Sequence, residues 1–154
     1  MGLDMYLYLK RTSRSSSDGV SDTDDFRKVF KDEPIGVLTH EYFNVGYWRK
    51  ANAIFDLFET FCAPDGIENC EYVYVGIDKL MAMLEVCKQV KEHPKEAPEI
   101  LPTREGFFFG SYEYDSYYFK MIDYTIDLFE HVLKFMNLND FNSVHYDIIF
   151  KAWW

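Results

Sequence analysis

Two short stretches carry side chains able to grip an anion. At Trp48-Arg49-Lys50 two cations follow an indole, with Asn52 just beyond, and Thr103-Arg104 precedes Gly106-Phe107-Phe108-Phe109-Gly110. Arg and Lys neutralise phosphate or carboxylate, Arg through a planar fork of donors that matches two oxygens. Trp and Phe rings offer flat surface for stacking. Asn and Thr hydrogen-bond, and glycine N–H groups leading into a helix start form an anion cradle. The candidate ligand-binding residues are therefore Trp48, Arg49, Lys50, Asn52, Thr103, Arg104, Gly106, Phe107, Phe109, Gly110 and Tyr114. Each also has a plainer reading. Cations at a helix start are commonly just solvated, a glycine-bracketed aromatic run is commonly a buried strand or turn, and tyrosines at helical spacing are commonly core. Glu113 and Asp115 weigh against an anion at the helix start they precede.

Other chemistries find less support. His40, His93, His131 and His145 are scattered and form neither an H-x-x-x-H nor an H-E-x-x-H pair, the spacing a zinc site on one helix face needs. Glu41 beside His40 and Glu130 beside His131 are sequence neighbours, which face apart on a strand or helix. Asp4 and Asp115 would form a carboxylate pair only if the fold joined them. No Ser/His/Asp or Cys/His grouping is evident. No catalytic residue, metal ligand or cofactor is assigned, and an enzyme is not the preferred reading. Cys62, Cys70 and Cys87 are odd in number and lack a C-x-x-C pair, so they read as reduced, buried small hydrophobes.

The chain of 154 residues suits a single domain, residues 1–154, large enough for a genuine core. A net charge of −10 argues against nucleic acid and against an anionic membrane surface as partners. There is no secretory leader pattern and no run of eighteen apolar residues, so the cytoplasm is the default location. With 14 Phe, 12 Tyr and 3 Trp, a few large rings should fill much of the interior. Buried tyrosine hydroxyls need partners, so some tyrosines belong at a surface or pocket rim.

The elements that must position these groups follow from periodicity. Residues 3–10 alternate, with Leu3, Met5, Leu7 and Leu9 on one side and Asp4, Tyr6, Tyr8 and Lys10 on the other, which predicts a half-buried strand. Residues 11–25 are Ser/Asp-rich and read as a mobile loop. Residues 26–30 suggest a helical turn stopped by Pro34, and residues 37–45 a second strand. From Tyr47 to about Cys62 the apolar spacing predicts a helix with Trp48, Ala51, Phe55, Phe58 and Cys62 in one stripe. A strand over 71–75, a helix over 77–92, a proline-rich connection over 93–104, a helix from about Asp115 to Met136 and a last strand over 144–152 complete the chain. The fold class is α+β: an antiparallel sheet of about three to four strands, including both terminal ones, with three main helices packed on one face.

Three blocks stand out: Met1-Gly2-Leu3-Asp4-Met5-Tyr6-Leu7, Gly46-Tyr47-Trp48-Arg49-Lys50-Ala51-Asn52, and Leu101-Pro102-Thr103 through Gly106-Phe107-Phe108-Phe109-Gly110-Ser111 with Tyr114-Asp115. In this order, over nearly the whole length, they resemble a family of small uncharacterised bacteriophage and prophage proteins. Where those relatives often carry a His-Trp pair in the central helix, this chain has Phe55-Asp56. The resemblance implies a phage origin and an accessory role in the host cell. By analogy of setting, some small phage proteins blunt host immunity by sequestering nucleotide signals. The leading expectation is a non-enzymatic protein that binds a small phosphorylated, nucleotide-like ligand. The alternative is a module that binds a host protein directly, with Trp153 and Trp154 among its anchors, and a metal-dependent hydrolase ranks third. Self-association is left open.

Overall fold

The computed structural model describes residues 2–14, 38–106, 110–139 and 145–154. Four strands form one antiparallel sheet: β1 (Asp4–Arg14), β2 (Leu38–Arg49), β3 (Tyr72–Val75) and β4 (His145–Trp153), in the order β2-β1-β4-β3. Both terminal strands are therefore the central pair. Helices α1 (Asn52–Cys62), α2 (Ile77–Glu92) and α4 (Ser116–Asn139) supply most of the helical layer. A 3-10 turn (Pro94–Glu96) and the short α3 (Ala97–Ile100) link the last two. This is the expected α+β architecture.

The alternation of β1 decides the core. Leu3, Met5, Leu7 and Leu9 are buried, and in register beside them on β4 lie Ala152, Phe150 and Ile148. Phe58 of α1 stacks on Phe150 with ring centroids 3.9 Å apart, and Phe129 of α4 meets Phe58 edge-on at 5.9 Å. Leu80, Met83, Leu84, Cys87 and Val90 line the inner side of α2, one turn apart, as its periodicity predicts.

Two boundaries differ from the sequence expectation. The helix expected from Tyr47 begins at Asn52, because residues 46–49 belong to β2, pairing Leu7↔Gly46, Tyr6↔Tyr47, Met5↔Trp48 and Asp4↔Arg49. Tyr and Trp suit a pleated surface as readily as a helix, and here β1 offers a ladder that an isolated helical turn could not match. The register shift between Leu7 and Tyr8 leaves Val45 as an extra residue, a bulge that turns Gly46 and Trp48 toward the core. The loop expected over 11–25 also starts late: residues 11–14 continue β1, paired with 38–41 of β2. The rest of that stretch, and the turn expected over 26–30, lie outside the described residues.

Candidate ligand site and the open sheet face

The three sequence blocks meet where β2 passes into α1. Lys50 adopts a left-handed backbone (φ 54), and its N–H donates to the Leu3 carbonyl at 2.7 Å, closing the ladder against β1. Gly110 packs directly on it. With φ 93, Gly110 has a backbone few other residues adopt, and an added Cβ would stand 2.8 Å from both the Cβ and the carbonyl oxygen of Lys50. One residue past the turn, the buried Asn52 ties the third block down. Its amide donates to the Ser111 carbonyl at 2.9 Å and accepts from the Arg104 N–H at 3.1 Å. Thr103 completes the knot, its hydroxyl donating to the Tyr112 carbonyl (3.0 Å) and its N–H to the Tyr114 hydroxyl (3.1 Å).

Beside this knot lies a narrow depression of about 30 Å³, lined by Lys50, Asn52, Ala53, Ser111, Asp115 and Tyr117 among others. That volume accepts one or two water-sized groups. The first turn of α1 opens into it with no side-chain cap and no acidic residue of its own, while Glu113 and Asp115 stand in the lining and bring negative charge to the same depression. Across the mouth, Asp115 is committed to α4, its Oδ1 accepting from the Tyr117 and Tyr118 N–H groups at 2.9 and 3.0 Å. Burial raises the Tyr117 phenol pKa, while the nearby charge of Arg49 pulls it down. The Tyr117 hydroxyl donates to the Arg49 carbonyl.

Of the residues expected to form a ligand site, Lys50, Asn52, Thr103, Gly106, Gly110 and Tyr114 gather at or around this knot, and Arg49 stands at its edge. Two have other work. Trp48 is 1% exposed, donates its indole N–H to Thr125 (2.9 Å) and packs edge-on against Phe58 and Phe129. A ring enclosed on both faces cannot stack on a ligand, so the role expected of Trp48 is corrected to core packing. The Arg104 guanidinium is directed to Glu59 and Asp56 of α1 and lies 5.5 Å from the Phe55 ring, so its charge serves those carboxylates rather than a ligand. Phe107 and Phe109 lie outside the described residues.

Among the described residues, the opposite face of the sheet carries no helix. Tyr6, Tyr8 and Lys10 point there from β1, Tyr42 and Tyr47 from β2, Tyr72 and Tyr74 from β3, and Lys151 and Trp153 from β4, as the register requires. The rings touch in a continuous chain: Tyr47–Tyr6 at 5.2 Å, Tyr6–Tyr8 at 6.0 Å, Tyr8–Tyr42 at 6.3 Å and Tyr42–Tyr72 at 6.0 Å. Beneath them Ile149 is 1% exposed. Lys151 lies over the Tyr72 ring at 4.3 Å and donates to its hydroxyl at 3.3 Å, and Lys10 donates to the Tyr74 hydroxyl at 3.1 Å. Those hydrogen bonds are the first cause of the raised pKa of each lysine. Asp4 is on this face too, yet buried, because the Tyr47 hydroxyl donates to it and Trp153 is its register partner. The alternation of residues 3–10 placed four of these groups on one side. The rest depended on strand order, which local spacing does not reveal.

Among the described residues, no three His, Cys, Asp or Glu side chains are grouped to hold a metal ion, and no helix is long and apolar enough to cross a membrane. The three cysteines are unpaired thiols, but the burial expected of them holds fully for Cys87 alone: Cys62 is half-buried, and Cys70, in the turn before β3, is exposed. Comparison with family models, curated proteins and solved structures finds no match.

Proposed function

We propose that this chain is a non-enzymatic binding protein for a small phosphorylated, nucleotide-like ligand, whose anionic tip enters the depression at the start of α1. One observation carries the reading: an uncapped helix start, free of acidic residues in its first turn, opens into a depression lined by Lys50 and Ser111. Helix N–H groups and a lysine together attract an oxyanion. The cavity admits only the tip, so the rest of the ligand lies outside, against Tyr117 and within reach of Arg49. Binding of this kind needs complementarity and desolvation but no acid, base or metal. The resemblance to phage proteins supplies the setting: an accessory protein in the host cytoplasm that sequesters a nucleotide signal and so counters host defence.

Isothermal titration against cyclic and ADP-ribose-type nucleotides tests the reading. Saturable binding that disappears in an Arg49→Ala/Lys50→Ala double variant is expected; silence across the panel, or affinity unchanged in that variant, refutes it. A second reading, direct binding of a host protein, is favoured by the exposure of Tyr42, Phe43 and Trp153. A stoichiometric protein captured from host lysate, with no nucleotide signal, would put that reading first.

A further inference from the structure

The tyrosine face contains a hollow that the proposed anion site does not use. Tyr6, Tyr8, Cys70, Lys151 and Trp153 line it, and its volume is about 290 Å³. Ligand pockets run from roughly 300 to 1,000 Å³, so this one has room for a single ring system with one substituent. Three of its five walls are aromatic. Its only formal charge is the Lys151 ammonium, in a chain whose net charge is −10.

The nearby carboxylates keep their charge but have hydrogen-bond partners of their own. Asp4 accepts the Tyr47 hydroxyl, Asp147 pairs with His145 at 2.8 Å, and Glu71 accepts the Glu68 N–H at 2.9 Å. An ammonium has three donors, and Tyr72 takes one from Lys151. Ile149, opposite Tyr8 on β4, gives an apolar floor. A neutral apolar ligand would leave the ammonium unanswered, and a cation would be repelled.

We propose that this hollow binds one planar aromatic ring bearing an anionic group, the ring against Trp153 and Tyr6 and the anion on Lys151. A nucleoside monophosphate and an aromatic carboxylate share that chemistry. The site is distinct from the depression at α1: its residues come from β1, β4 and the segment before β3, and none of them lines that depression.

The test is a titration of the full chain with uridine and guanosine monophosphates, indole-3-carboxylate, and the matching uncharged uridine, guanosine and indole. The anionic members should bind about tenfold more tightly than their neutral counterparts, and the better arm, phosphate or carboxylate, identifies the source. Lys151→Gln should bring the anions down to the neutral level, Lys151→Arg should restore part of the difference, and Trp153→Ala should weaken both series about tenfold or more. Lys50→Ala should leave the difference between indole-3-carboxylate and indole unchanged, which separates the hollow from the nucleotide site at α1. The exposed Cys70 thiol gives a second readout, because a bound ring should slow its reaction with a thiol reagent. Equal affinity for charged and uncharged rings, loss of indole-3-carboxylate binding in Lys50→Ala rather than Lys151→Gln, or unchanged Cys70 reactivity at saturation would each overturn the proposal.

Discussion

The knot at the start of α1 and the hollow on the tyrosine face lie toward the same end of one sheet, yet they are built in opposite ways. At the knot, backbone and amide groups satisfy one another: Asn52 uses both ends of its amide, Thr103 uses its hydroxyl and its N–H, and Gly110 leaves no space for a Cβ against Lys50. What remains for a ligand is small and rigid. On the open face the contacts are ring edges and two lysine–tyrosine pairs, and several rings stay exposed. More recognition surface is left there, held less firmly. A pre-organised site loses little ordering entropy on binding, whereas an adaptable one must order its side chains first.

The largest expected effect tests the rigidity of the knot. Gly110→Ala forces a side chain onto a positive-φ backbone and into the Lys50 carbonyl. Backbone strain and overpacking each cost on the order of 1–3 kcal/mol, so a loss of about 3 kcal/mol is expected in urea denaturation. Tyr74→Ala, at a half-exposed ring of the open face, should cost less than about 1 kcal/mol. If the two variants lose similar amounts, the contrast between the regions is wrong.

How much of this was visible in the sequence follows from which contacts are local. The burial of Leu3, Met5, Leu7 and Leu9 and the inner side of α2 depend on spacing along one element, and spacing predicted both. Tyr47 to Arg49 fits period 2 and period 3.6 equally well, and the choice falls to β1, some forty residues away in the chain, through pairs such as Met5↔Trp48. The same error put Trp48 at a ligand site, since on a strand its side chain turns inward. The knot is partly legible: Lys50, Asn52, Thr103 and Gly110 carry the right chemistry in the sequence, although nothing local shows that they meet. The tyrosine face is not, because Tyr42 and Tyr72 become neighbours only through the order β2-β1-β4-β3.

A smaller effect sharpens the comparison through pH. Cys87, buried on α2, interacts with Tyr118, which lines the depression and donates to the Leu101 carbonyl at 2.7 Å. Burial pushes the Cys87 thiol from its ordinary 9.0 up to about 12 and the half-buried Cys62 thiol to about 11, and burial also raises the Tyr118 phenol. Raised acids favour the protonated folded state. Their contribution is complete below pH 9.0 and is lost as pH climbs from there through about 12, because the unfolded chain releases its protons first. Between pH 9 and about 12 the buried Cys87 removes up to about 1.4 kcal/mol per pH unit. Solvent screens the half-buried Cys62, and Tyr118 joins only above its ordinary 10.0. Unfolding free energies at pH 7, 8.5 and 10 should therefore be flat and then fall, and Cys87→Ala should shallow the fall. An unchanged slope in that variant would show that the thiol behind the knot does not carry the effect.

The smallest effect is close to zero, and it separates fold from function. Lys50 holds a left-handed backbone that glycine adopts at no steric cost, and its side chain is exposed. Its backbone contacts, the N–H to Leu3 and the carbonyl against Gly110, do not depend on the side chain. Lys50→Gly should therefore relieve local strain while increasing the entropy of the unfolded chain, two terms of about 1 kcal/mol that nearly cancel. Stability should stay within about 0.5 kcal/mol of the parent, while affinity for a phosphorylated ligand falls as in the double variant. The hollow on the other face, having no part in that turn, should keep its preference for anionic rings. A variant that loses several kcal/mol would mean the lysine stem, not the turn, holds Gly2 and Gly110 together, and a lysine retained for binding would then be a lysine retained for packing.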